Sequence, residues 1–211
     1  EPTVYPRTTG KDGQLIATPK NDWTEGFYPG CLWYIYEHNR EESWKQSAVK
    51  WTEALEPMKK LTSHHDIGFL IYCSFGNGYR LTGKEEYKDV IIEAANSLTT
   101  RFSEVTGCIK SWNYRKAWNG KDEWFYPVII DNMMNLELLY FASKVTGDTR
   151  YAKIATTHAE TTAKNQLRED YSNYHVVDYD TLTGKVLHQA TCQGFSDNSA
   201  WARGQAWAIY G

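Results

Sequence analysis

No run of about 18 consecutive apolar residues occurs in the chain, so no segment reads as a membrane-spanning helix. Cysteine is sparse: Cys31, Cys73, Cys108 and Cys192 are scattered and form no C-x-x-C pair. That excludes a zinc ribbon and argues against a disulfide scaffold, leaving free and mostly buried thiols as the expectation. The six His residues show no ligand spacing, so neither a metal nor a cofactor is expected. Charge of one sign is also missing. A formal net charge of -3 gives no electrostatic footprint for nucleic acid or for an anionic membrane surface. There is no secretory signal pattern, and the first residue is Glu1 rather than Met. This reads as a processed or trimmed chain, with a periplasmic or otherwise exported location favoured over a cytoplasmic one. What is abundant is aromatic: nine Trp and fifteen Tyr in 211 residues, enough to fill a core or to line a cleft that receives sugar rings.

The stretch that organises the chain runs from Phe125 to Ala142. Its apolar residues cover every side of a helical wheel, which marks an element buried all round. Pro127 is suited to a first helical turn and Gly147 to a stop. Asp131 sits inside this run, with Asn132 and Asn135 close behind. A carboxylate in such a place must be hydrogen-bonded, neutralised or exposed to a cavity. The plain alternative is an acidic residue favouring a helix N-terminus.

In chain order, residues 1–25 read as an extended N-terminal arm. A helix is expected from about Cys31 to Asn39, and a second one follows Glu41, with Trp44, Ala48, Trp51 and Leu55 forming one apolar stripe. The segment from Ser63 to Cys73 is again apolar on all faces and runs towards Thr82-Gly83. Glu85 and Glu86 open a one-sided helix carrying Tyr87, Val90, Ile91, Ala94, Leu98 and Phe102. The Tyr79–Tyr87 segment recurs at Ser143–Tyr151, 64 residues later, as an all-round-apolar helix, a T-G-[KD] turn and a one-sided helix with Tyr in its first turn. Residues 173–192 break this pattern and read as a β-hairpin turning at Thr181-Leu182-Thr183-Gly184. The fold class expected is therefore all-α, a toroid or solenoid of helical hairpins with one β-hairpin inserted.

In a toroid, the loops before the inner helices converge on one end of the axis. Those loops carry His64-His65-Asp66, Trp124, Asp131 and the segment from Asp197 to Arg203. Paired Asp residues suit acid–base chemistry on a sugar. Each candidate also has a plain reading. His64-His65-Asp66 could cap a helix, Arg203 could pair with Asp197, and His175 in a strand could be a packed residue.

Five blocks make the chain recognisable: Gly26–Trp33, His64–Phe69, Ile130–Asn135, Tyr174–Asp178 and Gln193–Gln205. From about Trp23 to Gly211 it resembles the unsaturated glucuronyl hydrolases, glycoside hydrolase family 88. The resemblance implies an (α/α)6 barrel acting on Δ4,5-unsaturated uronic acids left by polysaccharide lyases. It implies Asp131 as general acid/base and Asp66 as its essential partner. It places His175, Gln193, Trp201, Arg203 and Trp207 around the substrate, with His65 and Trp124 beside them, and it calls for no metal. Such a barrel needs six inner and six outer helices, and about seven are legible. Residues 26–211 are thus expected to be the N-terminal part of one catalytic barrel, the rest supplied by further chain or by another copy. The unsaturated rhamnogalacturonyl hydrolases, a 2-epimerase-like barrel and a non-catalytic glycan-binding toroid are the alternatives.

Overall fold

The computed structural model describes residues 2–211. They form two compact units: the chain up to Leu61 with Asp66–Ser97, and Thr62–His65 with Leu98–Gly211. Among the described residues no helix is long and apolar enough to cross a membrane.

The first unit opens with an antiparallel hairpin, β1 (Val4–Thr9) and β2 (Leu15–Pro19), where an arm was expected. Tyr5 ties it down: its ring is fully buried, lies edge-on to Trp51 and donates its hydroxyl to the Trp51 carbonyl at 2.9 Å. Helices α1 (Phe27–Asn39) and α2 (Glu42–Glu53) form the first helical hairpin. The Trp33 indole N–H satisfies the buried Thr52 hydroxyl at 2.9 Å, so a large apolar body is buried without leaving its donor unpaired. The α2 stripe is narrower than its periodicity suggests. Ala48 and Leu55 are buried, whereas Trp44 lies at the surface. Pro57 enters a 3-10 turn, Glu56–Lys60, after α2 has ended. The next apolar segment is two short helices, α3 (Ile67–Ile71) and α4 (Asn77–Thr82), joined by one π-helical turn at Tyr72–Gly76. Helix α5 (Glu85–Thr99) follows, its apolar side buried through Tyr87, Ile91, Ala94 and Leu98.

Within the second unit, α6 (Leu136–Thr146) and α7 (Thr149–Gln166) form a hairpin whose turn repeats the chemistry of the α4–α5 turn. Gly83 and Gly147 both stop their helices in the left-handed region, at φ 66° and 76°, where glycine carries no Cβ penalty. In both turns the preceding threonine hydroxyl donates to the carbonyl four residues back, Thr82 to Gly78 and Thr146 to Ala142. The same oxygens accept the N–H of Lys84 and of Asp148. The 64-residue repeat is thus a repeat of structure.

The stretch read as one long helix from Phe125 divides differently. Pro127–Ile129 is a strand, β7, Ile130–Asn135 is a 3-10 turn, and only then does α6 begin. A short apolar run bounded by turns suits a buried strand as well as a buried helix, and periodicity cannot separate them. Here the β-branched Val128 and Ile129 pair with Val177 and Val176 of β8 (Val176–Tyr179), the middle strand of a sheet completed by β9 (Val186–Ala190). The hairpin expected near residues 173–192 is β8–β9; its third strand was not foreseen. Two small hairpins precede it, β3 (Phe102–Ser103) with β4 (Cys108–Ile109), and β5 (Arg115–Lys116) with β6 (Glu123–Trp124). Helix α8 (Ala202–Tyr210) ends the described chain. Among the described residues the helical hairpins expected are present, accompanied by four small sheets where one β-hairpin was expected. Of the four thiols only Cys108 is buried, and Cys31 is exposed, so burial is not the common property the sequence suggested.

One buried acid in the first unit carries a stability prediction. Glu25 has no solvent exposure, and neither carboxylate oxygen has a hydrogen-bond partner among the described residues. Asp22 instead takes the local donors: the Thr24 N–H and hydroxyl, and an ion pair with Arg7 at 3.3 Å. Burial, reinforced by the Asp22 charge, pushes the Glu25 carboxyl up from 4.5 to about 8. A raised folded-state value means that folding retains a proton the unfolded chain has lost, so stability falls as pH rises from 4.5 towards 8. The Glu25→Gln variant is expected to melt with a flatter pH dependence between 6.5 and 8, measured by thermal unfolding. An unchanged slope in that window would show that Glu25 is ionised in the fold.

Candidate active site

Strand pairing builds the site. Ile129 lies opposite Val176, and the Ile130 N–H donates to the His175 carbonyl at 2.9 Å. The residues entering the 3-10 turn are thereby set beside the residue entering β8, and Asp131 meets His175. His175 Nε2 lies 3.6 Å from Asp131 Oδ2, with side-chain exposures of 1 % and 9 %. At that distance the contact is electrostatic and steric rather than a formed hydrogen bond.

The backbone sets the histidine's tautomer. Its Nδ1 accepts the N–H of Cys192 at 3.1 Å and that of Gln193 at 3.3 Å. With Nδ1 held as acceptor, the proton of the neutral ring sits on Nε2 and faces Asp131. Burial, with the nearby Arg203, His65 and Arg115 adding repulsion, lowers the His175 value from 6.5 to about 3. Asp131 therefore faces a neutral N–H donor, not an imidazolium.

Behind Asp131 stands a wall of amides. Asn132 donates to the Ile109 carbonyl at 2.6 Å and accepts from Asn135 at 2.7 Å. The Asn135 amide also reaches His65 Nδ1 at 3.3 Å; an amide nitrogen only donates, so that ring nitrogen accepts. The His65 backbone N–H donates to the Ser111 carbonyl at 3.0 Å, and the Ser111 hydroxyl takes the Ile129 backbone N–H at 2.9 Å. These buried groups lock the 3-10 turn and with it the Asp131 backbone.

Above the histidine lies a stack. The Trp201 ring sits 4.3 Å from His175 at 33°, and the Arg203 guanidinium lies 4.5 Å from the Trp201 ring. Arg203 Nη2 also donates to the Gln193 side-chain oxygen. This arrangement requires α8 to pack directly on the 3-10 turn, which Gly204 permits: a Cβ there would lie 2.7 Å from the Trp201 ring and 2.9 Å from Ile130.

Of the residues singled out from sequence, Asp131, His175, Gln193, Trp201 and Arg203 come together. His65 joins through Asn135. Trp207 lies half-buried on α8. Trp124 is 1 % exposed and packs among Ala117, Ile129 and Val176, so its ring faces core and not an open cleft. Asp66 belongs to the first unit, where it stands half-buried at the start of α3 without capping it. Two further residues, Trp112 and Arg115, lie beside this cluster and are not among the sequence candidates. Trp112 is half-buried against the Trp124 cluster and carries the exposed Arg115 guanidinium 4.5 Å from its ring. Among the described residues no group of three or more His, Cys, Asp or Glu side chains is placed to hold a metal ion.

Residues 3–211 match the family described as Glycosyl Hydrolase Family 88. The chain is 48 % identical over 209 residues to an unsaturated glucuronyl hydrolase of Formosa agariphila, covering 98 % of this chain and 51 % of that protein. It is 40 % identical over 215 residues to an unsaturated chondroitin disaccharide hydrolase of Streptococcus agalactiae, covering 98 % and 52 %. A crystal structure of an unsaturated glucuronyl hydrolase specific for heparin superposes with a TM-score of 0.93 at 45 % identity, covering 99 % of this chain and 54 % of that one. The chain spans about half the length of the curated relatives it matches.

Proposed function

Because the chain belongs to glycosyl hydrolase family 88, we propose that the complete protein hydrolyses oligosaccharides ending in a Δ4,5-unsaturated uronic acid. In this reading residues 26–211 are the N-terminal part of a single (α/α)6 catalytic barrel. The observation that carries it is Asp131, buried beside a neutral imidazole whose proton points at it, with a guanidinium within the same cluster.

The substrate is a vinyl ether. Asp131 donates its proton to C4 of the double bond, and positive charge develops at C5, shared with the ring oxygen. The Asp131 carboxylate then removes a proton from a water molecule that adds to C5. The resulting hemiketal opens by breaking the bond from C5 to the ring oxygen, which gives a C5 ketone and leaves C1 as a hemiacetal. Collapse of that hemiacetal to an aldehyde breaks the bond to the neighbouring sugar and releases it with a free hydroxyl. One carboxyl thus serves as acid and then as base, and no covalent sugar–enzyme intermediate is needed, unlike the retaining two-carboxylate route. His175 keeps Nε2–H facing Asp131 at 3.6 Å and, being neutral, does not drain its proton. On the family resemblance alone, Asp66 is proposed as a second essential carboxyl. Arg203, steadied by Gln193 and Trp201, receives the uronate carboxylate, and Trp207 and His65 complete the pocket wall.

Incubating the complete protein with unsaturated disaccharides and following the ultraviolet absorbance of the conjugated double bond tests this reading. Steady loss of absorbance with release of the neighbouring sugar is expected. Binding of the disaccharide without any loss would favour a glycan-binding toroid instead.

A further inference from the structure

A uronic acid presents one carboxylate, for which Arg203 suffices, yet the same cluster carries a second guanidinium. Arg115 stands on β5 directly opposite Trp124 on β6. Residues paired directly across an antiparallel ladder project on the same face, so Arg115 shares the face that buries Trp124, while Lys116 and Glu123 share the other. On its own face Arg115 lies over the Trp112 ring at 4.5 Å. Trp112 follows Ser111, whose hydroxyl holds Ile129, and packs, as Cys192 does, against the buried cluster of Ala117, Trp124, Ile129 and Val176. The Cys192 N–H is bonded to His175. Arg115 is therefore joined to the Asp131–His175 pair by a short chain of contacts, and its charge registers on both His175 and Cys192.

The charge is also uncompensated. The two acids of the hairpin are engaged elsewhere, Asp122 by the Asn119 amide at 2.7 Å and Glu123 by the Tyr114 hydroxyl at 2.7 Å. Among the described residues no carboxylate pairs with Arg115. The guanidinium is exposed and its carbon lies 4.5 Å from the indole centroid, and its N–H groups suit a planar or tetrahedral oxyanion.

From this geometry we propose that Arg115, held on Trp112, is a specificity-determining residue that reads a second oxyanion, a sulfate ester or a second carboxylate, on the sugar next to the unsaturated uronate. This rests on the hydrolase reading above.

The test uses the complete enzyme and three unsaturated disaccharides that differ only at the leaving sugar: neutral, sulfated or carboxylated. For the unaltered enzyme kcat/KM is expected to be higher for an anionic member than for the neutral one. A preference confined to the sulfated pair assigns sulfate, and one confined to the carboxylated pair assigns a second uronate. Arg115→Ala should lower that preference about fivefold to tenfold, as expected for one charge-assisted contact at a partly exposed site. Arg115→Lys should keep part of it, and raising the salt concentration should erode it in the unaltered enzyme. Arg115→Gln, which keeps the stem on the indole, repeats the loss if Arg115→Ala unfolds. Turnover with the same anionic-to-neutral ratio in the unaltered enzyme and in these variants would overturn the assignment while leaving the hydrolase reading intact. Failure of the unaltered enzyme to turn over any of the three would overturn both.

Discussion

Asp131→Asn in the complete enzyme is expected to abolish turnover of unsaturated disaccharides while leaving the fold and substrate binding in place. The substitution keeps the shape of the side chain but removes the proton that must reach C4 and the base that must then activate water. Loss of a single general acid costs about 10²–10⁴-fold, and this residue is asked to serve twice. Stability should change little, because Asn has the shape of Asp and the bonds of Asn132, Asn135 and Ser111 that hold the surrounding wall stay in place. The check is kcat beside a dissociation constant and a melting curve. Retention of half the activity would remove Asp131 from the mechanism. Lost binding together with lost fold would make its role structural.

His175→Phe is expected to be the next most damaging change, and it should act on two quantities at once. The phenyl ring can keep the stack on Trp201 but has no acceptor for the N–H groups of Cys192 and Gln193. Leaving such donors unpaired costs about 1–3 kcal/mol each where they are buried, so a clear fall in melting temperature is expected. Loss of the Nε2–H dipole that faces Asp131 should lower kcat by about 10²-fold, the lower range for a group acting on the acid's surroundings. His175→Asn separates the two effects. Its side-chain oxygen can stand where Nδ1 accepts, restoring much of the stability, but it offers nothing in place of Nε2–H, so kcat should stay low. If His175→Asn recovered both, His175 would be a structural residue only.

The pH behaviour of these variants follows from the neutral state of the ring. With its value lowered to about 3 by burial, folded His175 does not take up a proton in the range where an unfolded histidine, at 6.5, would. The unfolded chain then binds more protons, so this group's stabilising contribution is fully present above 6.5 and is lost as pH falls towards 3. Buried His158, also lowered to about 3 by burial, has the same sign. In the rate profile no limb should belong to His175, and His175→Asn should leave both limbs where they were. A limb near 6.5 that vanished in that variant would show that the working enzyme carries an imidazolium there.

Much of this molecule was decided by neighbours along the chain. The Thr-Gly turns at Gly83 and Gly147, the cap at Asp148 and the start of α5 at Glu85 are local chemistry, since one residue's hydroxyl or missing Cβ satisfies groups a few positions away. The same holds for the β8–β9 hairpin. The sequence also marked Asp131, because a carboxylate within an apolar run calls for an explanation wherever the chain goes. What it left undecided were choices made across distance. Whether Pro127–Ile129 became helix or strand depended on finding Val176–Tyr179 as a partner, and the apolar pattern serves either outcome. That pairing set His175 against Asp131, and the return of the chain at Cys192 and Gln193 chose its tautomer. Trp124 and Trp112 look alike in sequence. The packing of one short hairpin buried the first in the core and left the second half-buried with Arg115 over its ring, because side-chain exposure is fixed by what arrives from elsewhere in the chain.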